Sequence, residues 1–485
     1  MPSSFLKNTS KLLTGDALGQ VIGIIAIPII TRLYSVEDYG AFSAILAISL
    51  ILTTLSTLSL HLALLIPKNE VEANKILHLS FGIMITFCML LSGILITFKT
   101  EIVSYLDIST AEWMVYTIPM FVLFQGCYLI STYWGVRKKN FGLVSVSKVA
   151  EGLIDRTVAI AAGFAGYAST LSLVVARLLS NVLAILYLTP TFKKVPNNTD
   201  SPCIEVISYK KTIIKYKRYL QYNTPSMLLI SAGSQLPVII IAAYFSAVSA
   251  GLYAIANRIV NIPVTALGNA ISKTYTQKIA EDIAEGNLPK VQRDTESFFK
   301  LLLSFLLVPF SILAVVGESL FTILLGEKWA DAGVLASSLS YLAMTTLLVQ
   351  GFGGIFDVMN KQNIRLVYHA CNFIVRTGIL VACIFLEVSL STTILLYAVF
   401  GTVMNAIVMG LLFSCVKKRM LLFTAFRDNL IPLVIFHVLI VTVEYYITSL
   451  YLSYFFIALI SFTWLLYIGS LKKVMSLIKT KKATS

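Results

Sequence analysis

Charge is scarce in this chain, and negative charge scarcer still. Charged residues make up 13% of the 485 positions, about half the roughly 25% of a soluble globular domain. Asp and Glu together number 24 against 38 Lys and Arg. The four histidines, His61, His78, His369 and His437, are too scattered for metal-ligand spacing. No G-x-x-x-x-G-K-[ST] phosphate loop occurs, and no Ser/His/Asp set converges by sequence. The expectation is therefore no enzyme, no metal and no cofactor. Of six cysteines, Cys88, Cys127, Cys371 and Cys383 fall in apolar stretches and Cys203 and Cys415 in polar ones, so no disulfide framework is indicated. Residues 1 to 13 lack the short apolar core and small-residue cleavage site of a removable signal, so the first apolar stretch is expected to stay as a helix.

Apolar sequence is abundant. Hydrophobic residues reach 57% and the mean hydropathy is +0.83, the composition of an integral membrane protein. About 20 apolar residues at 1.5 Å rise cross a ~30 Å hydrocarbon core. Fourteen stretches qualify: 14 to 33, 41 to 66, 77 to 98, 113 to 134, 149 to 168, 170 to 190, 222 to 245, 248 to 270, 298 to 325, 333 to 357, 366 to 386, 390 to 414, 430 to 449 and 452 to 471. The fold class is all-α, a polytopic membrane protein of about 14 transmembrane helices.

Alternating the connections between two sides places 31 of the 38 Lys and Arg on one side and three, Arg32, Lys99 and Lys328, on the other. The remaining four, Arg156, Arg177, Arg258 and Arg376, lie inside spans. By the positive-inside rule both termini are expected to be cytoplasmic. The net charge of +14 then reflects topology and attraction to anionic headgroups, with no nucleic-acid partner implied.

The stretch 191 to 221 carries Pro196, Asn197, Asn198, Pro202 and seven basic residues, and reads as a cytoplasmic linker. It separates an N-terminal lobe, 1 to 190, from a C-terminal lobe, 222 to 414. Helices at 430 to 471 and a basic tail, 472 to 485, follow as an appendage. Tyr34, Ser35, Gly40 and Phe42 are matched by Phe245, Ser246, Gly251 and Tyr253, each pair offset by 211 residues. That is the mark of two parallel, pseudo-symmetric six-helix lobes.

An arginine in the bilayer costs at least ~2.5 kcal/mol. Around Arg258, the residues Gly251, Ala254, Asn261, Thr265, Gly268 and Ser272 recur at spacings of three and four and form one small, polar stripe. Close helix packing explains the Gly and Ala positions. It does not explain Arg258 or Asn261, which point to a wet cavity that accepts an anion. Glu151 and Asp155 share a face, while Arg156 beside Asp155 is expected to point elsewhere. With Arg177 they form either an ion-pair network that fixes two helices or an electropositive wall with carboxylates for ion coupling. Arg376 follows Asn372 by one turn and has either a neighbouring helix or ligand as partner. Arg32 ends the first helix, where snorkelling is the ordinary reading. Asp16 lies near the cytoplasmic end of that helix.

IITRLYSVEDYGAFSAI at 29 to 45, AGLYAIANRIVNIPVTALGNAI at 250 to 271 and LLGEKWADAG at 324 to 333 resemble the polysaccharide-transporter branch of the superfamily that holds lipid-linked oligosaccharide flippases and multidrug-and-toxin extruders. The resemblance covers essentially the whole chain. It implies movement of undecaprenyl-diphosphate-linked sugar units, of O-antigen or capsule type, from the cytoplasmic to the periplasmic leaflet of a bacterial inner membrane. It also implies two lobes opening alternately around a cavity lined by the first, second, seventh and eighth helices. Arg32 and Arg258 stand where arginines of related peptidoglycan-precursor flippases face that cavity. The absence of other arginines from the first two helices departs from that group. The partners implied are the lipid-linked glycan, membrane lipids and other polysaccharide-assembly proteins. The competing readings are a cation-coupled drug antiporter of the same superfamily and a membrane-embedded polymerase or glycosyltransferase. The short external connections, such as 99 to 112 and 326 to 332, speak against an enzyme.

Overall fold

The structure is a computed structural model that describes residues 2–67, 69–98, 113–192, 209–418 and 420–446. Among these residues it is helical throughout. In chain order the helices are α1 (Pro2–Leu33), α2 (Val36–Thr57), α3 (Leu60–Ala63), α4 (Glu70–Thr97), α5 (Trp113–Arg137), α6 (Phe141–Phe164), α7 (Thr170–Leu188), α8 (Tyr209–Arg218), α9 (Thr224–Tyr244), α10 (Ala247–Ala284), α11 (Leu288–Leu325), α12 (Ala330–Phe352), α13 (Gly354–Val358), α14 (Gln362–Phe385), α15 (Leu390–Cys415) and α16 (Leu421–Tyr446). Thirteen of the fourteen apolar stretches overlap these helices, two of them divided between a pair of helices, and the last, 452 to 471, lies outside the described residues. Eight described helical segments are long and apolar enough to cross a membrane. The helix α6 carries Lys148, Glu151, Asp155 and Arg156 along its length and is not one of them.

Small polar residues start the helices. The side chains of Ser35, Asn69, Asn287 and Ser389 accept hydrogen bonds from backbone N–H groups of the first turns of α2, α4, α11 and α15, satisfying donors that a helix end leaves open. Within the apolar stretches, many hydroxyls return to carbonyls one turn earlier, as Ser49 does to Ile45 and Thr53 to Ser49, so these hydroxyls need no water.

Four expectations change. The stretch 41 to 66 is not one helix: α2 ends at Thr57, and Leu58 and Ser59 adopt positive φ of 45° and 55° before α3, because an apolar run does not report a backbone break. The stretch 333 to 357 is divided at Gly353 between α12 and α13. From Tyr209 the expected linker is helical, and it runs through a π turn at Tyr219–Asn223 into α9. The connection expected between 270 and 298 is a helical hairpin: α10 and α11 have 38 residues each, about 57 Å at 1.5 Å per residue, nearly twice the hydrocarbon core. Lys278 with Asp294 at 2.5 Å, Lys290 with Asp282 at 2.6 Å and the Tyr275 hydroxyl on Thr295 at 2.6 Å zip it together. Charge ends a membrane span, not a helix.

The chain divides into two compact units, Met1–Ala254 and Ile255–Ser485, so the boundary falls inside α10. In the first unit α1 packs on α6, α6 on α7, and α2 on α5 and α9. In the second, α11 packs on α12, α12 on α15, α14 on α15, and α16 on α11 and α15. The Tyr341 hydroxyl meets His437 Nε2 at 2.7 Å and ties α12 to α16.

Candidate functional site

The loop between α1 and α2 explains much of the first motif. Tyr34 is fully buried; its hydroxyl donates to the Ala159 carbonyl at 2.7 Å and lies 3.0 Å from the Ser172 hydroxyl. Asp38 accepts from the backbone N–H and the hydroxyl of Thr170, both at 2.8 Å. The end of α1 is thus fixed to α6 and α7, and Arg32, in the last turn of that helix, is exposed.

The repeat at offset 211 returns in the geometry. Ser35 Oγ accepts from Asp38 N at 3.0 Å, and Ser246 Oγ accepts from Ser249 N at 3.0 Å, so the same cap starts α2 and α10. Within the first unit, the two matched glycines face each other. A Cβ on Gly40 would land on the Ala247 carbonyl oxygen, and one on Gly251 on the Val36 carbonyl oxygen. Val36 and Ala247 are themselves offset by 211, so the crossing is isologous: each strip of one helix meets its counterpart on the other.

Farther along α10, Gly268 abuts the Gln350 side chain. The glycines at both ends of the polar stripe are packing residues, and Arg258 and Asn261 stand between them. Asn261 Nδ2 donates to Asn257 O at 2.8 Å and Asn257 Oδ1 at 2.7 Å, which makes Asn257, unmarked by the sequence reading, part of the cluster. Residues 247 to 270 hold no carboxylate. Pro263 removes one backbone donor there.

Arg156 and Arg177 belong to one network. Arg177 is paired with Glu151, and its Nη1 lies 3.6 Å from Asp155 Oδ2. Arg156 Nη1 reaches the same Asp155 oxygen at 2.6 Å, against the expectation that it points elsewhere, because the long side chain folds back along the helix. Gln125 Oε1 accepts from Arg177 Nη2 at 3.3 Å and from Asn181 Nδ2 at 3.1 Å. Gln125 and Asn181 carried no signal in sequence. Two guanidinium groups face two carboxylates, so the formal charge balances within this network of α6 and α7. Removing one member leaves the other charge uncompensated, which costs about 3–5 kcal/mol in a buried pair. Glu151→Ala is therefore expected to lower the melting temperature in detergent, and Glu151→Ala with Arg177→Leu to recover most of the loss.

Arg376 has no such partner among the described residues. Its guanidinium lies 4.2 Å from the Tyr397 ring centroid and donates to the Tyr397 hydroxyl, a cation–π contact that leaves the charge in place. Gly401 makes room for it: a Cβ there would sit 3.4 Å from Arg376 Cδ. A polar chain continues from Asn372 to the Tyr368 hydroxyl at 3.1 Å, on to Asn405 at 2.6 Å, and to Thr345 and Thr346 at 3.0 Å. Asp16 lies on α1, and its side chain is outside the described residues.

A family model described as Polysaccharide biosynthesis protein matches residues 29–334, more than half of the chain. The chain belongs to this family. No curated protein matches it by sequence. Among solved structures it is similar to "Lipid II flippase MurJ, inward closed conformation", with 12% identity, a TM-score of 0.73, and coverage of 96% of this chain and 99% of the other. It is also similar to an inward-facing multidrug resistance MATE family transporter of the MOP superfamily, with 13% identity, a TM-score of 0.59, and coverage of 84% and 96%. A MOP superfamily transporter from Pyrococcus furiosus follows with 13% identity, a TM-score of 0.52, and coverage of 86% and 96%. The fold of this family member is therefore the multi-pass fold of MOP-superfamily flippases and transporters.

Proposed function

We propose that the protein is a flippase for undecaprenyl-diphosphate-linked oligosaccharide repeat units of O-antigen or capsule type. It takes them from the cytoplasmic to the periplasmic leaflet of a bacterial inner membrane, with both termini cytoplasmic. The observation that carries this reading is a polysaccharide-biosynthesis chain that keeps Arg258 and Asn261 in the carboxylate-free stretch 247–270 of α10. Guanidinium matches phosphate oxygens with a planar fork of donors, which suits Arg258 to grip a lipid diphosphate.

In this reading two six-helix lobes, 1 to 190 and 222 to 414, rock alternately, and Arg32, Arg258 and Asn261 engage the diphosphate and first sugar. The matched caps and glycines at offset 211 support the lobes. Arg376, with no carboxylate partner among the described residues, serves as a second cationic contact. Arg156 and Arg177 hold helices together through Glu151 and Asp155, which suits a structural role better than ion coupling, and Asp16 is the remaining carboxylate for coupling in α1. No covalent step is required.

The test is leaflet accessibility of the prenyl-diphosphate sugar in cells depleted of the protein. Accumulation in the cytoplasmic leaflet supports the proposal. Normal movement of the sugar with no second carrier present defeats it, and proton-dependent drug efflux that persists without the lipid-linked sugar would favour the antiporter instead.

A further inference from the structure

The helix α8 has a place in the fold that no transport step uses. Five of its ten residues are basic and none is acidic: Lys210, Lys211, Lys215, Lys217 and Arg218. It is clamped to α4 through Glu72, which is 7% exposed. Lys215 Nζ lies 2.5 Å from Glu72 Oε1 and the Tyr216 hydroxyl donates to the same oxygen at 3.1 Å. Thr212 and Tyr216 are buried on the clamped face, whereas Tyr209, Ile213 and Ile214 are exposed. Lysines flanking exposed isoleucines and a tyrosine are the pattern of a helix lying in a membrane interface.

Beside it runs a groove of about 560 Å³, lined by α4 residues from His78 to Leu90 and by Tyr209, the first residue of α8. Its walls are apolar, with Ile83, Phe87 and Leu90 among them. Gly82 keeps it open, since a Cβ there would meet nothing within 4 Å. His78 Nδ1 is engaged with the Asn74 carbonyl oxygen at 2.7 Å, so the ring edge bearing Nε2 is the part left to meet a headgroup. From His78 to Leu90 the helix rises about 18 Å, close to the ~15 Å depth of one leaflet, half of a ~30 Å core. That length and volume suit one acyl chain, and a polyprenyl chain would overrun them.

We propose that α8 and the outer face of α4 form a binding site for an anionic phospholipid of the lysine-rich leaflet, with its phosphate against the start of α8 and one acyl chain in the groove. Charge complementarity selects the occupant: Tyr209 belongs both to the groove and to the basic helix, so a chain in the groove brings its headgroup to α8, whose sequence is half basic and holds no acid. The site is independent of what the protein carries. It anchors the segment that leads directly into α9.

The test uses the full-length protein in nanodiscs containing phosphatidylglycerol or phosphatidylcholine with a diazirine on the acyl chain. Photo-adducts are mapped by mass spectrometry. The phosphatidylglycerol probe is expected to label residues 78 to 90 several-fold more than the phosphatidylcholine probe. In the variant K210Q/K211Q/K217Q that labelling should fall at least about five-fold, the worth of one lysine near an anionic surface. Gly82→Trp should remove labelling of the segment by both probes, and adducts on other helices should be unchanged in both variants, which separates a filled groove from a misfolded protein. Equal labelling by the two lipids overturns the proposal, as does stronger labelling by a polyprenyl-phosphate probe, which would assign the groove to the tail of the cargo.

Discussion

Alanine at Gly40 or at Gly251 lowers the melting temperature of the detergent-solubilised protein, and the double variant loses much less than the sum. Each new Cβ falls on a backbone carbonyl oxygen of the other helix, where no flexible side chain can give way, so α2 and the start of α10 must separate. Overpacking of this kind costs about 1–3 kcal/mol. Once the first Cβ has parted the helices, the second finds room already made, so a coupling of the order of the single effects is expected between these touching sites. Gly82→Ala and Gly93→Ala are the controls: a Cβ at either meets nothing within 4 Å, and alanine favours a helix interior by up to ~1 kcal/mol. Unchanged melting of both Gly40→Ala and Gly251→Ala would show that the crossing is looser than described.

Arg258→Ala is the second large effect, and it falls on function. A charge-assisted hydrogen bond contributes about 1.5–3 kcal/mol, so loss of a bidentate grip on a diphosphate corresponds to roughly a 10- to 100-fold loss of transport. Membrane insertion and melting should be near those of the parent. Arg258→Lys retains the charge without the fork and should recover only part of the activity. Arg32→Ala is expected to impair transport as well, while Tyr34 and Asp38 still anchor the end of α1. Full assembly of surface polysaccharide by either alanine variant would remove that residue from the binding site.

Most of the helices were legible because each apolar run of about 20 residues reports its own membrane transfer, independently of its neighbours. The repeat was legible too, although only four matched pairs announced it. The structure adds the shared serine caps and the mutual glycine contact. Boundaries set by hydrogen bonding rather than hydropathy were hidden. The break at Leu58 and Ser59 lies in an apolar run, and the hairpin tip of α10 and α11 lies in a charged one.

The candidate site divides in the same way. Arg258 and Asn261 show in sequence because helical spacing is local, and Asn257 joins them one turn away. The neighbours of Arg177 and Arg376 named above are distant in sequence. Gln125 is 52 residues from Arg177, and Tyr397 is 21 residues from Arg376. The sequence by itself determined the membrane class, most of the helix pattern and the internal offset of 211, since these follow from properties that add residue by residue. Tertiary structure alone decided that Arg156 and Arg177 face carboxylates while Arg376 faces an aromatic ring, and that Gly40 and Gly251 touch. Charge neutralisation and close packing are properties of pairs, and a pair exists only once the helices are side by side.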